Sequence, residues 1–195
     1  MVLIDTTLVN EIVDFCYQES DLWEFGYSED YDSDNVINRG RKLVETYRTP
    51  FDTGVLKVEQ DILNQLGVDH SMMRPCIPDE DVLPHFVNCL FKIEQNSIGI
   101  QRHTDPRDSN GWLHMRVNYM LQKPTDGGEP VINRKILPVK QGQSWNCWAS
   151  EHVHFALPVK QDPFRISLSL GFYVAPEHVN TVKQRIESVV DITCN

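Results

Sequence analysis

The sequence has few basic residues, no paired cysteines and no long apolar run. Lys and Arg number 18 against 28 Asp and Glu, a net charge of −10, which disfavours a nucleic-acid partner although it leaves room for a local basic groove. The five cysteines include no Cys-x-x-Cys pair, so reduced, buried thiols are expected rather than a zinc finger or a disulfide framework. No basic leader or span of about 18 apolar residues occurs, and we expect a soluble, intracellular (cytoplasmic) protein without a membrane partner.

Length and composition indicate an ordinary globular fold. The chain has 195 residues, 41% of them hydrophobic, which is enough for a full core without a stapling metal and too short for two large domains. A metal in this protein would therefore be functional. We predict a single domain with a helical and acidic N-terminal region (residues 1–83), a β core (84–175) and a C-terminal helix (176–195).

Two amphipathic helices are predicted in the first third of the chain. Apolar residues recur at helical spacing over residues 6–19 and again from Val55 to Leu66, where Gly67 is suited to end the helix. Between the two helices, residues 19–34 mix acidic and aromatic side chains without a period. They form either a solvated loop or a surface for a basic substrate, and we predict that they act as a lid closing over the site.

The rest of the chain has the pattern of short β-strands. Apolar runs punctuated by Gly and Pro predict strands at 86–94, 98–102, 112–122, 131–137, 144–149, 152–158 and 164–174. Many short strands of this kind are typical of a β-sandwich or jelly roll. Pro176 is suited to open a last helix. The predicted fold class is mainly β with flanking helices.

A possible metal site begins with the triplet His103-Thr104-Asp105. Residues two apart on a strand share a face, so one strand end can present an imidazole and a carboxylate to the same metal. The triplet by itself is common, and a third ligand is needed. Either His152 or His154 can supply it, since His154 follows His103 by 51 residues, long enough for the chain to return across a barrel. Two His and one carboxylate leave three positions of an octahedral Fe(II) open.

Arg165-Ile166-Ser167 repeats the same spacing further along the chain. On a strand, the Arg165 guanidinium and the Ser167 hydroxyl share a face and suit a terminal carboxylate. A structural salt bridge is the alternative for Arg165. Its position 11 residues after His154 favours a carboxylate-binding site close to the metal.

Five segments of the chain together resemble a known family. They are Asn-Ser-Ile-Gly-Ile-Gln-Arg-His-Thr-Asp (96–105), Val-Asn-Tyr-Met-Leu (117–121), Gly-Gly-Glu (127–129), His-Phe-Ala-Leu-Pro-Val (154–159) and Arg-Ile-Ser-Leu (165–168). In this order and spacing the sequence resembles the Fe(II)/2-oxoglutarate-dependent oxygenases of the prolyl-4-hydroxylase-like branch. The resemblance implies a double-stranded β-helix (jelly roll, cupin-like) and spans nearly half of the chain.

The resemblance implies that His103, Asp105 and His154 are the metal ligands and the catalytic centre. His152 shares strand parity with His154, so periodicity does not distinguish the two. His154 is preferred because a Pro-Val pair follows it and because its spacing to Arg165 matches the family. The implied cofactors are Fe(II), 2-oxoglutarate as cosubstrate and O2, with ascorbate as a candidate reductant.

The resemblance also implies a binding site for the distal carboxylate of 2-oxoglutarate. Arg165 and Ser167 would bind it, and Tyr119 would donate its hydroxyl to the same group. Strand parity sets Tyr119 against Arg116 and Asn118, because only one face of their strand can line the cavity. Tyr119 is favoured inward by the resemblance; a bulge would admit both sets. Arg116 and Asn118 are the tentative substrate contacts.

The reaction implied is hydroxylation of a C–H bond with release of succinate and CO2. The substrate is expected to be a prolyl or peptidyl residue, or a free amino acid or other small molecule, while the oligomeric state stays open. A cupin-like, non-catalytic metal- or ligand-binding protein is the alternative. A zinc metallohydrolase is a third reading, but it gives Arg165 and Ser167 no role.

Overall fold

The computed structural model describes residues 4–18, 22, 24–25, 41–77, 87–95 and 99–194, so most of the predicted lid at 19–34 lies outside the described residues. The described helices are α1 (Thr6–Tyr17), α2 (Asp52–Leu66) and α3 (Val179–Arg185), with 3-10 turns at Thr46–Arg48, Pro176–His178 and Ile186–Ser188. None of the described helices has the length and apolarity needed to cross a membrane.

The first two helices form where the apolar spacing predicts them, and local side chains set their ends. The side chain of Asp5 caps α1 by accepting a hydrogen bond of 2.8 Å from the Thr7 backbone N–H. The helix α2 ends at Gly67, which adopts a left-handed conformation with φ 61°. A side chain is strained in that conformation, which explains why glycine stands there.

Short strands make up the remainder of the described chain. They are β1 (Glu24–Phe25), β2 (Arg41–Glu45), β3 (Met73–Pro75), β4 (Cys89–Ile93), β5 (Ile100–His103), β6 (Leu113–Gln122), β7 (Asp126–Gly127), β8 (Pro130–Ile132), β9 (Lys135–Ile136), β10 (Ser144–Cys147), β11 (His154–Ala156), β12 (Val159–Gln161) and β13 (Arg165–Val174).

The strands form two principal antiparallel sheets. The larger has the order β1-β2-β4-β13-β6-β10 with β3 paired to β13, the smaller has the order β5-β11-β8-β9, and β12 pairs with β7. Side chains from both principal sheets line one cavity. The prediction of a mainly β, jelly-roll fold with flanking helices is confirmed.

The larger sheet separates the cavity from the helical core. On β13, Arg165, Ser167 and Ser169 line the cavity, whereas the intervening residues Ile166 and Leu168 belong to the main hydrophobic core. Residues of all three helices belong to the same core, including Ile12, Ile62 and Val182, each with no exposed surface. The helices thus support the sheet from the side opposite the cavity.

Several regions differ from the prediction, since β1, β2, β3, β7 and β12 lie outside the predicted strands. The predicted strand 131–137 is divided into β8 and β9 by a turn at Asn133 and Arg134, whose φ values are 49° and 68°. The chain after the last helix adds to the edge of β10, where Ile192 forms a parallel bridge with Trp145. The five cysteines are free and, apart from the half-buried Cys194, buried, as predicted.

Candidate metal centre

The two predicted histidine ligands meet because β5 and β11 are paired. His103 ends β5, His154 begins β11, and the two residues lie opposite each other in the antiparallel register. Asp105 follows two residues after His103, and its Oδ1 lies 3.3 Å from His103 Nε2 and 3.7 Å from His154 Nε2. One donor atom from each residue lies within 4.8 Å of the others. This is a compact donor set of two imidazoles and one carboxylate.

Backbone carbonyls orient both imidazole rings in the same way. His103 Nδ1 lies 2.7 Å from the Gln101 carbonyl oxygen, and His154 Nδ1 lies 2.9 Å from the His152 carbonyl oxygen. When Nδ1–H donates to a carbonyl, Nε2 carries the lone pair. Both Nε2 atoms face Asp105, so with Nδ1–H donating to the carbonyl both lone pairs would be available to a shared metal ion.

The charge states of the ligands also suit a cation. Burial alone would raise the pKa of Asp105, but contacts with His103 and His114 and the Arg116 guanidinium hold it well below its ordinary value. Burial, together with the neighbouring His103, lowers the pKa of His154 to about 4. At neutral pH the site therefore presents a carboxylate and, at His154, a neutral imidazole, which are the forms that bind metals.

The structure distinguishes His152 from His154. The group of described residues with convergent donor atoms is His103, Asp105 and His154, and it does not include His152. His152 contributes its backbone carbonyl, which orients the His154 ring. His152 lies in the bend before β11, whereas His154 begins that strand and is held opposite His103.

Arg165 and Ser167 line the same cavity as the donor triad. Arg165 is 3% exposed and lies at the start of β13, and Ser167 points to the same face two residues later. The Arg165 guanidinium carbon lies 5.8 Å from the centre of the Trp145 ring, which is within the range of a cation–π contact. A buried guanidinium beside a hydroxyl is suited to bind a carboxylate.

Other side chains complete the cavity around these groups. The remaining lining residues are mostly apolar or aromatic: Phe91, Ile100, Arg116, Asn118, Pro130, Ile132, Trp145, Cys147, Phe155, Ala156 and Ser169. The cavity therefore combines the donor triad, two arginines and mostly apolar walls. This combination is typical of a site for a small, charged organic ligand.

The structure does not bring Tyr119 to this cavity. Tyr119 pairs across the sheet with Leu168, which faces the helices, and its side chain lies in the helical core and lines a separate pocket with Val9. The expectation that Tyr119 points into the cavity and donates its hydroxyl to the distal carboxylate of 2-oxoglutarate is therefore not met. Arg116 and Asn118, its rivals by strand parity, line the cavity.

Sequence reasoning missed the contact between His114 and the carboxylate of Asp105. His114 has no exposed surface, and its Nδ1 lies 2.9 Å from Asp105 Oδ2. Its parity with Arg116 and Asn118 was the signal available in the sequence. Parity places these three side chains on one face, but it does not identify Asp105 as the partner.

Comparisons with solved structures support the fold. A prolyl hydroxylase from Trichoplax adhaerens, solved with a hypoxia inducible factor oxygen degradation domain peptide fragment, has a TM-score of 0.60 and 18% identity, covering 89% of this chain and 80% of that chain. AviO1 from Streptomyces viridochromogenes Tue57 has a TM-score of 0.56 and 12% identity, covering 89% and 87%. HygX from Streptomyces hygroscopicus, solved with nickel and 2-oxoglutarate bound, has a TM-score of 0.51 and 9% identity, covering 88% and 80%.

These identities are low, so the similarity establishes the fold and no more. The sequence matches no protein-family model and no curated protein. The resemblance seen in the sequence is confirmed at the level of the fold: the chain has the jelly roll found in prolyl hydroxylases and related 2-oxoglutarate oxygenases.

Proposed function

We propose that this protein is an Fe(II)- and 2-oxoglutarate-dependent dioxygenase that hydroxylates a C–H bond. The observation that carries the proposal is that one cavity contains both the triad of His103, Asp105 and His154 and the buried pair of Arg165 and Ser167. A metal site alone suits many proteins of this fold. An arginine suited to bind a carboxylate in the same cavity supports a dicarboxylate ligand next to the metal.

The donor chemistry fits Fe(II). Two neutral imidazoles and one carboxylate on one side of a metal form the facial triad of non-haem Fe(II) oxygenases. His103, Asp105 and His154 would hold the ion through Nε2, Oδ1 and Nε2, the atoms that converge in the structure. When bound together there, Fe(II), 2-oxoglutarate and O2 supply the oxidising chemistry that converts a C–H bond to an alcohol and releases succinate and CO2.

The protein's own contribution to this reaction is binding, orientation and exclusion of water. Arg165 and Ser167 would bind the distal carboxylate of 2-oxoglutarate, with Asn118 on the neighbouring strand lining the same cavity. The contact of Arg165 with the Trp145 ring limits the positions open to the guanidinium. Apolar walls keep the cosubstrate in a low-dielectric environment, where charge pairing is stronger than in water.

The two tentative substrate contacts differ in their surroundings. Arg116 already donates to Asp105 Oδ2 over 3.3 Å and to Ser169 Oγ over 3.0 Å. These contacts favour a role in holding Asp105 over direct contact with the substrate. Asn118 lines the cavity and remains the candidate for contact with substrate or cosubstrate.

We propose a prolyl or peptidyl residue, or a free amino acid, as the substrate. The Trichoplax hydroxylase with the same fold was solved with a peptide fragment, which supports a peptide substrate. The acidic net charge of −10 is unfavourable for an enzyme that binds a phosphate backbone. Ascorbate is proposed as the reductant that maintains Fe(II).

The test is anaerobic addition of Fe(II) and 2-oxoglutarate to the purified protein, monitored by the visible charge-transfer band of the chelated iron. We expect a band that is lost in His154→Ala and retained in the matched control His152→Ala, followed by succinate formation when O2 is admitted. A folded protein that gives no band contradicts the proposal. A protein that binds the metal but forms no succinate under any substrate screen is the cupin-like binding protein instead.

A further inference from the structure

We propose that His114 is a positioning residue that, together with Arg116, restricts Asp105 to one metal-facing oxygen. This inference rests on the proposed function and adds a residue that sets how the carboxylate meets the metal. It concerns the two oxygens of Asp105, which have different partners in the structure.

The two oxygens of the Asp105 carboxylate are divided between two sets of groups. Oδ1 faces the metal-binding imidazoles, at 3.3 Å from His103 Nε2 and 3.7 Å from His154 Nε2. Oδ2 faces away from them, with His114 Nδ1 at 2.9 Å and Arg116 Nε at 3.3 Å. One oxygen is thus directed to the metal and the other is held by protein nitrogens.

Both nitrogens come from the strand β6. His114 and Arg116 lie two residues apart on it, so their side chains share one face of the strand. The His114 ring packs against Tyr173 with ring centres 5.5 Å apart, and its backbone N–H donates to Ser150 Oγ over 3.0 Å. Arg116 is tied in turn to Ser169 on β13.

The Asp105 backbone is fixed as well. Its N–H donates to the Ala149 carbonyl oxygen over 2.8 Å, so the carboxylate is held at both its backbone and its Oδ2. Rotation about the last side-chain bond would have to break the contacts of Oδ2 with both His114 and Arg116. The arrangement therefore opposes rotation of the Asp105 carboxylate.

The consequence is a defined number of open metal positions. A carboxylate can bind a metal through one oxygen or through both. With two imidazoles and one carboxylate oxygen, an octahedral ion keeps three open positions, which suffice for a chelating cosubstrate and O2. If Oδ2 also bound the metal, only two positions would remain. His114 and Arg116 favour the first arrangement by occupying Oδ2.

The experiment compares His114→Phe with His114→Asn. Phenylalanine keeps an aromatic ring against Tyr173 but has no nitrogen, whereas the asparagine amide nitrogen lies the same number of bonds from Cα as Nδ1. Mn(II) alone is titrated into each purified protein and followed by calorimetry, and the anaerobic Fe(II) and 2-oxoglutarate band is then recorded. Replacing a residue that contacts a metal ligand typically lowers metal affinity by about 10- to 100-fold.

We expect Mn(II) affinity to fall by about 10- to 100-fold in His114→Phe and to stay within about threefold of the unmodified protein in His114→Asn. Equal Mn(II) affinity in His114→Phe and the unmodified protein would overturn the inference. So would a His114→Asn variant that binds Mn(II) as weakly as the His114→Phe variant does. If His114→Phe does not fold, His114→Gln is measured in its place. The glutamine amide nitrogen lies one bond further from Cα than Nδ1, so it should not replace the contact with Asp105, and the same loss of Mn(II) affinity is expected. Failure of the unmodified protein to bind Mn(II) or to give the band would instead overturn the proposed function.

Discussion

Replacing Arg165 with methionine should greatly weaken binding of 2-oxoglutarate while leaving metal binding intact. Arg165 is 3% exposed and lines the same cavity as the donor triad, so in the proposed complex its guanidinium would meet the cosubstrate carboxylate away from water. Methionine has similar length and is apolar, which avoids a large cavity. Removing one partner of a buried, hydrogen-bonded charge pair costs about 2–5 kcal/mol. Since about 1.4 kcal/mol is a factor of ten, the dissociation constant should rise about 30- to 4,000-fold.

The lysine variant separates charge from geometry. Arg165→Lys keeps the positive charge but loses the planar fork that binds both oxygens of a carboxylate. Loss of one hydrogen bond to a charged group costs about 1.5–3 kcal/mol, which corresponds to about a 10- to 150-fold weaker dissociation constant. The lysine variant should therefore lie between the unmodified protein and Arg165→Met.

The assay is anaerobic titration of 2-oxoglutarate into Fe(II)-loaded protein, with the dissociation constant read from the charge-transfer band. The matched control is Tyr119→Phe, which removes a hydroxyl from the opposite face of β6 and should leave the constant within about twofold. A change of less than about threefold in Arg165→Met would refute the assignment of the carboxylate site. A tenfold effect of Tyr119→Phe would refute the assignment of the strand faces.

Three further predictions concern stability. Phe172→Ala, at a position with no exposed surface in the helical core, should lower the free energy of unfolding by about 3–5 kcal/mol in urea denaturation. The Asp191 carboxylate accepts hydrogen bonds from the Ser144 backbone N–H at 2.7 Å and from the Ser144 hydroxyl at 2.8 Å. Asp191→Ala should therefore lower the free energy of unfolding by about 1–3 kcal/mol in the same assay. No loss would show that the C-terminal segment does not hold β10. Burial raises the pKa of Glu59, although a hydrogen bond from Asn88 partly opposes the shift. Ionisation of Glu59 therefore costs stability as pH rises through its raised folded pKa. Glu59→Gln should gain stability relative to the unmodified protein as pH rises above the ordinary pKa of a glutamate, and a difference that does not change with pH would contradict this.

Local spacing predicted much of the secondary structure because it depends only on near neighbours. The helix α2 and its glycine end follow from apolar positions at helical spacing and one left-handed residue. The same applies to Arg165 and Ser167, whose separation of two residues places them on one face of β13. Patterns of this kind predicted the β core, both N-terminal helices and the candidate ligands.

For the strand β6, the local residue pattern does not predict which face lines the cavity. All ten of its residues are buried, because the helices cover one face and the cavity lies on the other. Alternation of polar and apolar residues then carries little information about which face is inward. The choice between Tyr119 and the pair of Arg116 and Asn118 depended on the pairing of β6 with β13.

The short strands and the C-terminal addition escaped prediction for a related reason. Strands of two or three residues such as β7 and β12 have no period of their own and exist through their partners. The bridge between Ile192 and Trp145 joins residues that are distant in the chain. The residues around Ile192 and those around Trp145 contain no local pattern that predicts their pairing.

The sequence by itself determined which groups this protein has for chemistry: an H-x-D triplet, later histidines, and an arginine and a serine two residues apart. The tertiary structure decided which of them meet. His154 joins the site because it lies opposite His103 in the β5–β11 register, and His114 meets Asp105 because β6 passes behind it. The physical reason is that side-chain direction follows from local backbone geometry, whereas register follows from packing across the whole core.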